Sequence, residues 1–332
     1  MNSKENHSPV YHQLADSFAE AISRQEYQAL SIGIAKSTII TYAKNVERAA
    51  LFLRSLDHML LDAVATYPDA KIYLLDREDF GADFKLPAIP FRHFNDSRLF
   101  FFADDEMGKV DLFDRENSTY YVLYLEMDEF ETGLSSTSMQ HIKQILNTLG
   151  YINVHGAVVG RDGEGIFLSN RGGSGKSSLM AYAICQGMQS LGDDFLTLHT
   201  SDVKTFYSLY RQFKLTHNSP AFALAQAHYP TLGFYDGKEV FKIPAGGDNK
   251  FQHSMRVKEI LIPFIGTKLE IKDIDPEEAF KLALPSTLFL NGTVSGTIAT
   301  VKEMIREIPT RTLELTPDLP AAYALLESRL AL

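Results

Sequence analysis

The chain has 332 residues, 45% of them hydrophobic and 22% charged. That composition excludes wholesale disorder and supplies the apolar material for two domains. One cysteine, Cys185, excludes an internal disulfide framework and a cysteine-built metal centre. Residues 1–148 carry 14 Lys and Arg against 23 Asp and Glu, and residues 149–332 carry 18 against 19. The acidity therefore sits in the first part, which argues against nucleic acid as its partner, because phosphate-backbone binding needs clustered cations.

No apolar run is long enough to span a bilayer, since the best stretch, Ala49 to Ala65, carries Arg54, Asp57, His58 and Asp62. The first 25 residues lack a basic start followed by an apolar core, so no signal peptide and no membrane partner are expected, and a reducing cytoplasm is the simplest home.

In chain order, residues 1–9 are polar, and Leu14, Phe18, Ala21 and Ile22 predict a helix over 10–30. Ile40, Ala43, Val46, Ala50, Phe52, Leu53, Leu56 and Leu60 predict a longer one over 38–66, ending before Pro68. Lys71–Leu75, Arg98–Phe102, Lys109–Phe113 and Thr119–Met127 are rich in β-branched and aromatic residues, and acidic turns at 104–108 and 114–117 separate the last three, which reads as a small antiparallel sheet. A helix over 135–149, capped by Thr137 or Ser138 and stopped by Gly150, completes an α+β N-terminal domain of residues 1–148.

The second domain, 149–332, opens with a strand over Tyr151–Gly160, a tight turn at 161–164 and a strand over Gly165–Asn170. A glycine loop, a helix over Lys176–Gly187 and a strand over Ser190–Thr200 follow. Further strands are expected at Lys238–Ile243 and Lys258–Pro263, and helices at Pro276–Leu284 and Pro317–Leu330.

The loop carries the chemistry. Ser169-Asn170-Arg171-Gly172-Gly173-Ser174-Gly175-Lys176-Ser177-Ser178 lies between a predicted strand and a predicted helix, the context of a phosphate-binding P-loop. Glycines let successive backbone N–H groups turn toward one anion, and the helix N-terminus adds its positive end. Residues 171–178 would bind the phosphates of ATP, Lys176 would add a full positive charge, and the Ser177 hydroxyl would ligate Mg²⁺. Asn170 stands where the motif has glycine, as a residue that tolerates left-handed backbone. Eighteen residues beyond Lys176, Gly192-Asp193-Asp194 falls on a strand that returns beside the loop, where a carboxylate can bind Mg²⁺ or accept a hydroxyl proton. Upstream, His155-Gly156 sits on the strand before the loop strand, within reach of the same centre. Lys250, after Gly246-Gly247-Asp248-Asn249, would reach a phosphate, and Arg256 and Lys258 are further cation candidates.

His155-Gly156, the glycine loop ending Gly175-Lys176-Ser177, and Asp193-Asp194, in this order and spacing, resemble the catalytic domain of HPr kinase/phosphorylase and HPr-kinase-like proteins. The resemblance covers residues 151–200 and is absent from 1–130. It implies a fold like that of phosphoenolpyruvate carboxykinase, in which the P-loop is entered from a mostly antiparallel or mixed sheet within an α/β (α+β mixed) chain. It also implies that Lys176 binds phosphate, that Ser177 and Asp193 serve the metal, that Asp194 is the catalytic base and that His155 supports it. Oligomers occur in that family. Three residues depart from its pattern: Asn170, Gly192 before the Asp pair, and Ser178 where the family has Glu. With no downstream Glu-containing signature, phosphorylase activity and HPr as acceptor are disfavoured. Other HPr-kinase-like proteins phosphorylate a serine of lasso-peptide precursors, and that substrate class stays open. The expected function is an ATP- and Mg²⁺-dependent kinase acting on a peptide or protein serine. A non-catalytic ATP-sensing or peptide-binding module and a small-metabolite kinase are the alternatives.

Overall fold

The computed structural model describes residues 8–81, 86, 89, 92–104, 108–125, 139–244, 250–291 and 295–331. The chain divides into two compact units, Met1–Leu149 and Gly150–Leu332.

The first unit begins with helix α1 (Ser8–Ser23), whose Tyr11, Leu14, Ala15, Phe18 and Ala21 are buried at helical spacing. Strands β1 (Gln28–Ile34) and β2 (Ser37–Ala43) form an antiparallel hairpin, with Ile34 opposite Ser37. Only then does a short helix follow, α2 (Val46–Phe52), and after it a 3-10 turn at Arg54–Met59. The long helix expected over 38–66 is thus replaced by a strand and two short helical pieces. The run Ser37-Thr38-Ile39-Ile40-Thr41 explains this: four consecutive residues, Thr38 to Thr41, are β-branched and would lose side-chain freedom in a helix. Asn45 fixes the start of α2, its side chain accepting from the Arg48 backbone N–H at 2.8 Å.

Strands β3 (Ala70–Asp76), β4 (His93–Asn95), β5 (Leu99–Asp104), β6 (Lys109–Asp114) and β7 (Thr119–Tyr124) join the hairpin in one seven-stranded sheet, ordered β1-β2-β3-β7-β6-β5-β4. The sheet is larger than expected, and it is mixed, because β3 runs parallel to both β2 and β7. The apolar side of α1 packs on Leu75, Phe101, Val110, Leu112, Tyr121 and Leu123. Helix α3 (Met139–Thr148) contributes a fully buried His141, whose Nε2 lies 2.9 Å from the equally buried Asp111, itself paired with Lys109 at 3.0 Å. The acidic turn at 105–107, the carboxylates at 128–131 and the caps proposed at 137 and 138 lie outside the described residues.

The second unit starts with β8 (Tyr151–Val154) and β9 (Ala157–Arg161), separate strands where one was expected. β8 pairs with a later strand, while β9 turns through Asp162 and Gly163, both at positive φ, into β10 (Glu164–Leu168). The break falls at His155-Gly156. A Cβ on Gly156 would lie 2.4 Å from the Leu168 carbonyl, so only glycine lets the chain cross there. Helix α4 (Lys176–Cys185) leads to β11 (Gln189–Gly192) and β12 (Leu196–His199), again two strands where one was expected, with the Asp pair in the gap.

β13 (Asp202–Ser208) and β14 (Gln212–Leu215) follow, then α5 (Phe222–His228), β15 (Thr231–Tyr235), β16 (Lys238–Lys242), β17 (Ser254–Ile265), β18 (Glu270–Asp273), α6 (Pro276–Asn291), α7 (Ser295–Glu307), β19 (Thr310–Leu315) and α8 (Leu319–Leu330). The main sheet runs β11-β9-β10-β17-β13-β12-β8, with β19 beside β17 and β18 beyond it. It is mixed: β17 is parallel to β10 and β19, and the other pairs are antiparallel.

Period-two alternation builds two cores. Ala157, Val159, Ile166, Leu168 and Leu261 face α4 and α8, and Val158, Phe167, Ile260 and Ile262 face α6 and α7. A separate three-stranded sheet, β14-β16-β15, packs Phe213 and Phe241 into the α4 side. No described helix is long and apolar enough to cross a membrane.

Candidate active site

The loop leaves β10 and enters α4, and β17 holds its base. The Ser169 N–H donates to the Leu261 carbonyl at 3.0 Å, and the Asn170 side-chain amide donates to the Pro263 carbonyl at 2.7 Å. Asn170 Oδ1 in turn accepts from the Arg171 N–H at 2.7 Å. Asn170 is not at positive φ, so its use is not the left-handed tolerance expected of it. It is a clamp from loop to sheet. Gly173 and Gly175 do take positive φ, 80° and 92°. A Cβ on Gly175 would also meet Leu315 at 2.9 Å. Lys176 is 5% exposed and its ammonium donates to the carbonyls of Asn170 (2.6 Å) and Arg171 (3.0 Å). Burial holds its pKa below the usual lysine range, while Asp193 and Asp194 pull the other way.

The Asp pair sits on a strained corner. Gly192 has φ 94°, and a Cβ there would lie 2.0 Å from the Tyr210 carbonyl. A side chain of any size has no room there. Asp194 itself has φ 69°. The Asp193 N–H is anchored on the Gln212 carbonyl at 3.1 Å.

The two carboxylates have opposite environments. Asp193 is 2% exposed, and neither of its oxygens has a hydrogen-bond partner of good geometry among the described residues. Burial and the neighbouring Asp194 push its pKa up to about 6, although the nearby Ser177 hydroxyl and Lys176 draw it down. Burial would raise Asp194 as well, but Lys214, 3.0 Å from its Oδ2, together with His155 and Lys238, holds it below the usual carboxylate range. His155 hydrogen-bonds to the Asp194 backbone, and burial lowers its pKa, which keeps the ring neutral near pH 7.

A cleft of about 430 Å³ lies over the loop, lined by residues 172–178, His155, Asp194, Lys214 and Lys238, and closed on its far side by Leu215, Thr216 and Asn218 to Pro220. A second cavity of about 380 Å³ shares His155, Gly172, Asp194, Lys214 and Lys238 with it and adds Arg171, Phe195, Tyr235, Asp236, Ser286 and Leu290. Asp194 stands where the two meet.

His155, Arg171 to Ser178, Asp193 and Asp194 are therefore brought together. Lys250 is not: it lines neither cavity, its charge acts on the Cys185 thiol, and its carbonyl accepts from the Ser190 N–H at 2.6 Å. Arg256 faces Thr205 and Glu164 in the sheet, and Lys258 donates to the Leu330 carbonyl at 3.0 Å. The cations at the site are instead Lys214 and Lys238, which the sequence reading missed. Lys214 alternates with the buried Phe213 and Leu215, so its exit from the core was readable. Its meeting with Asp194 depends on β14 running beside the β11–β12 corner, a long-range pairing that no local pattern announces.

The residues fit a divalent metal with nucleotide phosphates. A buried carboxylate beside the Ser177 hydroxyl at a P-loop, with no well-formed hydrogen bond to its oxygens among the described residues, suits a cation. Among the described residues no three of His, Cys, Asp and Glu form a metal cage, so most ligands would be phosphate oxygens and water.

No family model matches the sequence. No curated protein matches it either. Among solved structures, the HPr(Ser) kinase/phosphatase from Coxiella burnetii matches with 11% identity and a TM-score of 0.28, over 53% of this chain and 95% of that one. This is a distant structural likeness.

Proposed function

We propose that the second unit is a phosphotransferase that moves the γ-phosphoryl group of ATP to a hydroxyl, with a peptide or protein serine as the acceptor. One observation carries the reading: Asp194, kept ionised by Lys214, stands between a glycine loop with its lysine and a second cavity able to hold an acceptor. In the reaction the acceptor oxygen bonds to the γ-phosphorus and the bond from that phosphorus to the bridging oxygen breaks. ADP leaves with the electron pair, and the hydroxyl proton passes to the Asp194 carboxylate. A depressed pKa makes Asp194 a weak base. That suffices where the transition state is loose and the proton leaves late.

Residues 172–178 cradle the phosphates, and Lys176 trades its loop carbonyls for phosphate oxygens. Lys214, beside Asp194, faces the transferring group and offsets its charge. His155 orients Asp194 through its backbone. Ser177 and Asp193 would hold Mg²⁺, which supplies charge neutralisation on the phosphates when bound.

The test is phosphate transfer from γ-labelled ATP with Mg²⁺ to serine peptides, HPr and small hydroxy acids. Label on a peptide or protein serine is the expected result. ATP bound but never consumed with any acceptor would return the chain to the sensing alternative.

A further inference from the structure

Strand β15 is unlike the other strands of the second unit. It is the edge of its sheet, paired only with β16 among the described residues. It carries three exposed large side chains in four positions, Leu232 (39%), Phe234 (53%) and Tyr235 (47%). A bulge between Thr231 and Gly233 disturbs its start, while Gly233, Phe234 and Tyr235 remain in regular register with Val240, Glu239 and Lys238. Phe234 packs edge-on against His217, ring centroids 5.4 Å apart, and no strand pairs with the free edge among the described residues. An edge with exposed apolar side chains and no lysine is what proteins avoid unless another chain uses it.

This edge leads into the active site. Tyr235 and Asp236, at its C-terminal end, line the second cavity together with Asp194. After Lys214 has paired with Asp194, that cavity retains Arg171 and Lys238, for which no ion-pair partner is found among the described residues, against the single carboxylate of Asp236.

We infer that the acceptor is an extended peptide that adds as a fourth strand on β15 and delivers a serine, flanked by an acidic residue, to Asp194. This rests on the phosphotransferase reading and names its substrate class. Backbone bonds to the edge supply sequence-tolerant affinity, and contact with Phe234 on one face and Tyr235 on the other favours apolar residues at the peptide positions facing them. At about 3.3 Å per residue, three residues opposite Gly233 to Tyr235 bring the next one to the cavity mouth. Arg171 and Lys238 meet the acidic neighbour of the serine, so charge complementarity selects an acidic peptide over a basic one.

The probe is an arrayed set of serine-centred nonapeptides with alternating Val or Ile, assayed with γ-labelled ATP. The serine neighbour is Glu, Gln or Lys, and each peptide is made with and without N-methylated backbone amides. The expected order is Glu over Gln over Lys, about tenfold per step or more. N-methylation is expected to remove labelling, because a methylated amide cannot donate to a strand edge. Phe234→Asp, on an exposed side chain, is expected to raise peptide KM about tenfold or more with kcat and ATP affinity unchanged.

Transfer to peptides that ignores neighbour charge and N-methylation, with Phe234→Asp neutral, would overturn the docking and leave phosphotransfer standing. Labelling of small hydroxy acids but no peptide would do the same. No transfer to any acceptor would overturn both.

Discussion

Asp193 and Asp194 are adjacent, yet the chain treats them differently. Burial and its neighbour raise the pKa of Asp193, whereas the Lys214 ammonium beside Asp194 lowers that of Asp194. Two consequences follow for Asp193, whose folded pKa of about 6 lies above its ordinary value of 3.8. Between about pH 4 and 6 the folded state binds more protons than the unfolded one, so stability of the ligand-free protein falls as pH rises through that window. The loss reaches at most about 3 kcal/mol. Asp193→Asn is expected to flatten that slope in thermal melts at pH 4–8, and to remove the rise in Mg-ATP affinity between pH 5 and 7 that deprotonation of a metal ligand gives. An unchanged slope would show that Asp193 is not the group responsible. The second residue-scale prediction concerns the base. Lys214→Met removes the cation 3.0 Å from Asp194, so the Asp194 pKa rises and the acid limb of the kcat profile moves to higher pH. An acid limb that stays in place would separate Asp194 from the rate-determining proton transfer.

At the scale of elements, the site depends on two interruptions. β8 stops at His155-Gly156 before β9, and β11 stops at Gly192 before β12. Each break turns a continuous apolar run into two strands with different partners and leaves functional side chains in the gap. Gly192→Ala is expected to be among the most destabilising single changes in the second unit, about 3 kcal/mol or more. It combines a positive φ with a Cβ 2.0 Å from the Tyr210 carbonyl. A denaturant midpoint within error of wild type would contradict that geometry. These breaks also show what could be read from the sequence. Loop, α4 and the Asp pair were legible, because glycine spacing and helix-start chemistry are local. The breaks were not, since Tyr151–Gly160 and Ser190–Thr200 each read as one β-rich run, and only pairing with distant strands divides them. The hairpin β1–β2 was misread as helix for a related reason: Ile40, Ala43 and Val46 satisfy a helical period, and β-branching at 38–41 outweighs it only when a sheet is there to receive it. Lys214 and Lys238 escaped notice because a lone lysine on a strand has no local signature.

At the scale of the whole molecule, each unit has its own core. Among the described residues, the cluster on α1 is built from the first unit, and the clusters on the two faces of the main sheet are built from residues beyond 150. A fragment of residues 150–332 is expected to fold cooperatively and to keep Mg-ATP affinity close to that of the full chain. A fragment that melts without a transition would show that the second core needs the first unit. The most direct test of the account is one paired measurement on Asp194→Asn: Mg-ATP affinity by calorimetry, and transfer from γ-labelled ATP to a serine acceptor. The account predicts affinity within about threefold of wild type and transfer reduced by about a thousandfold or more, as expected when a positioned base is removed and phosphate binding is left intact. Transfer at the wild-type rate in that variant would contradict it.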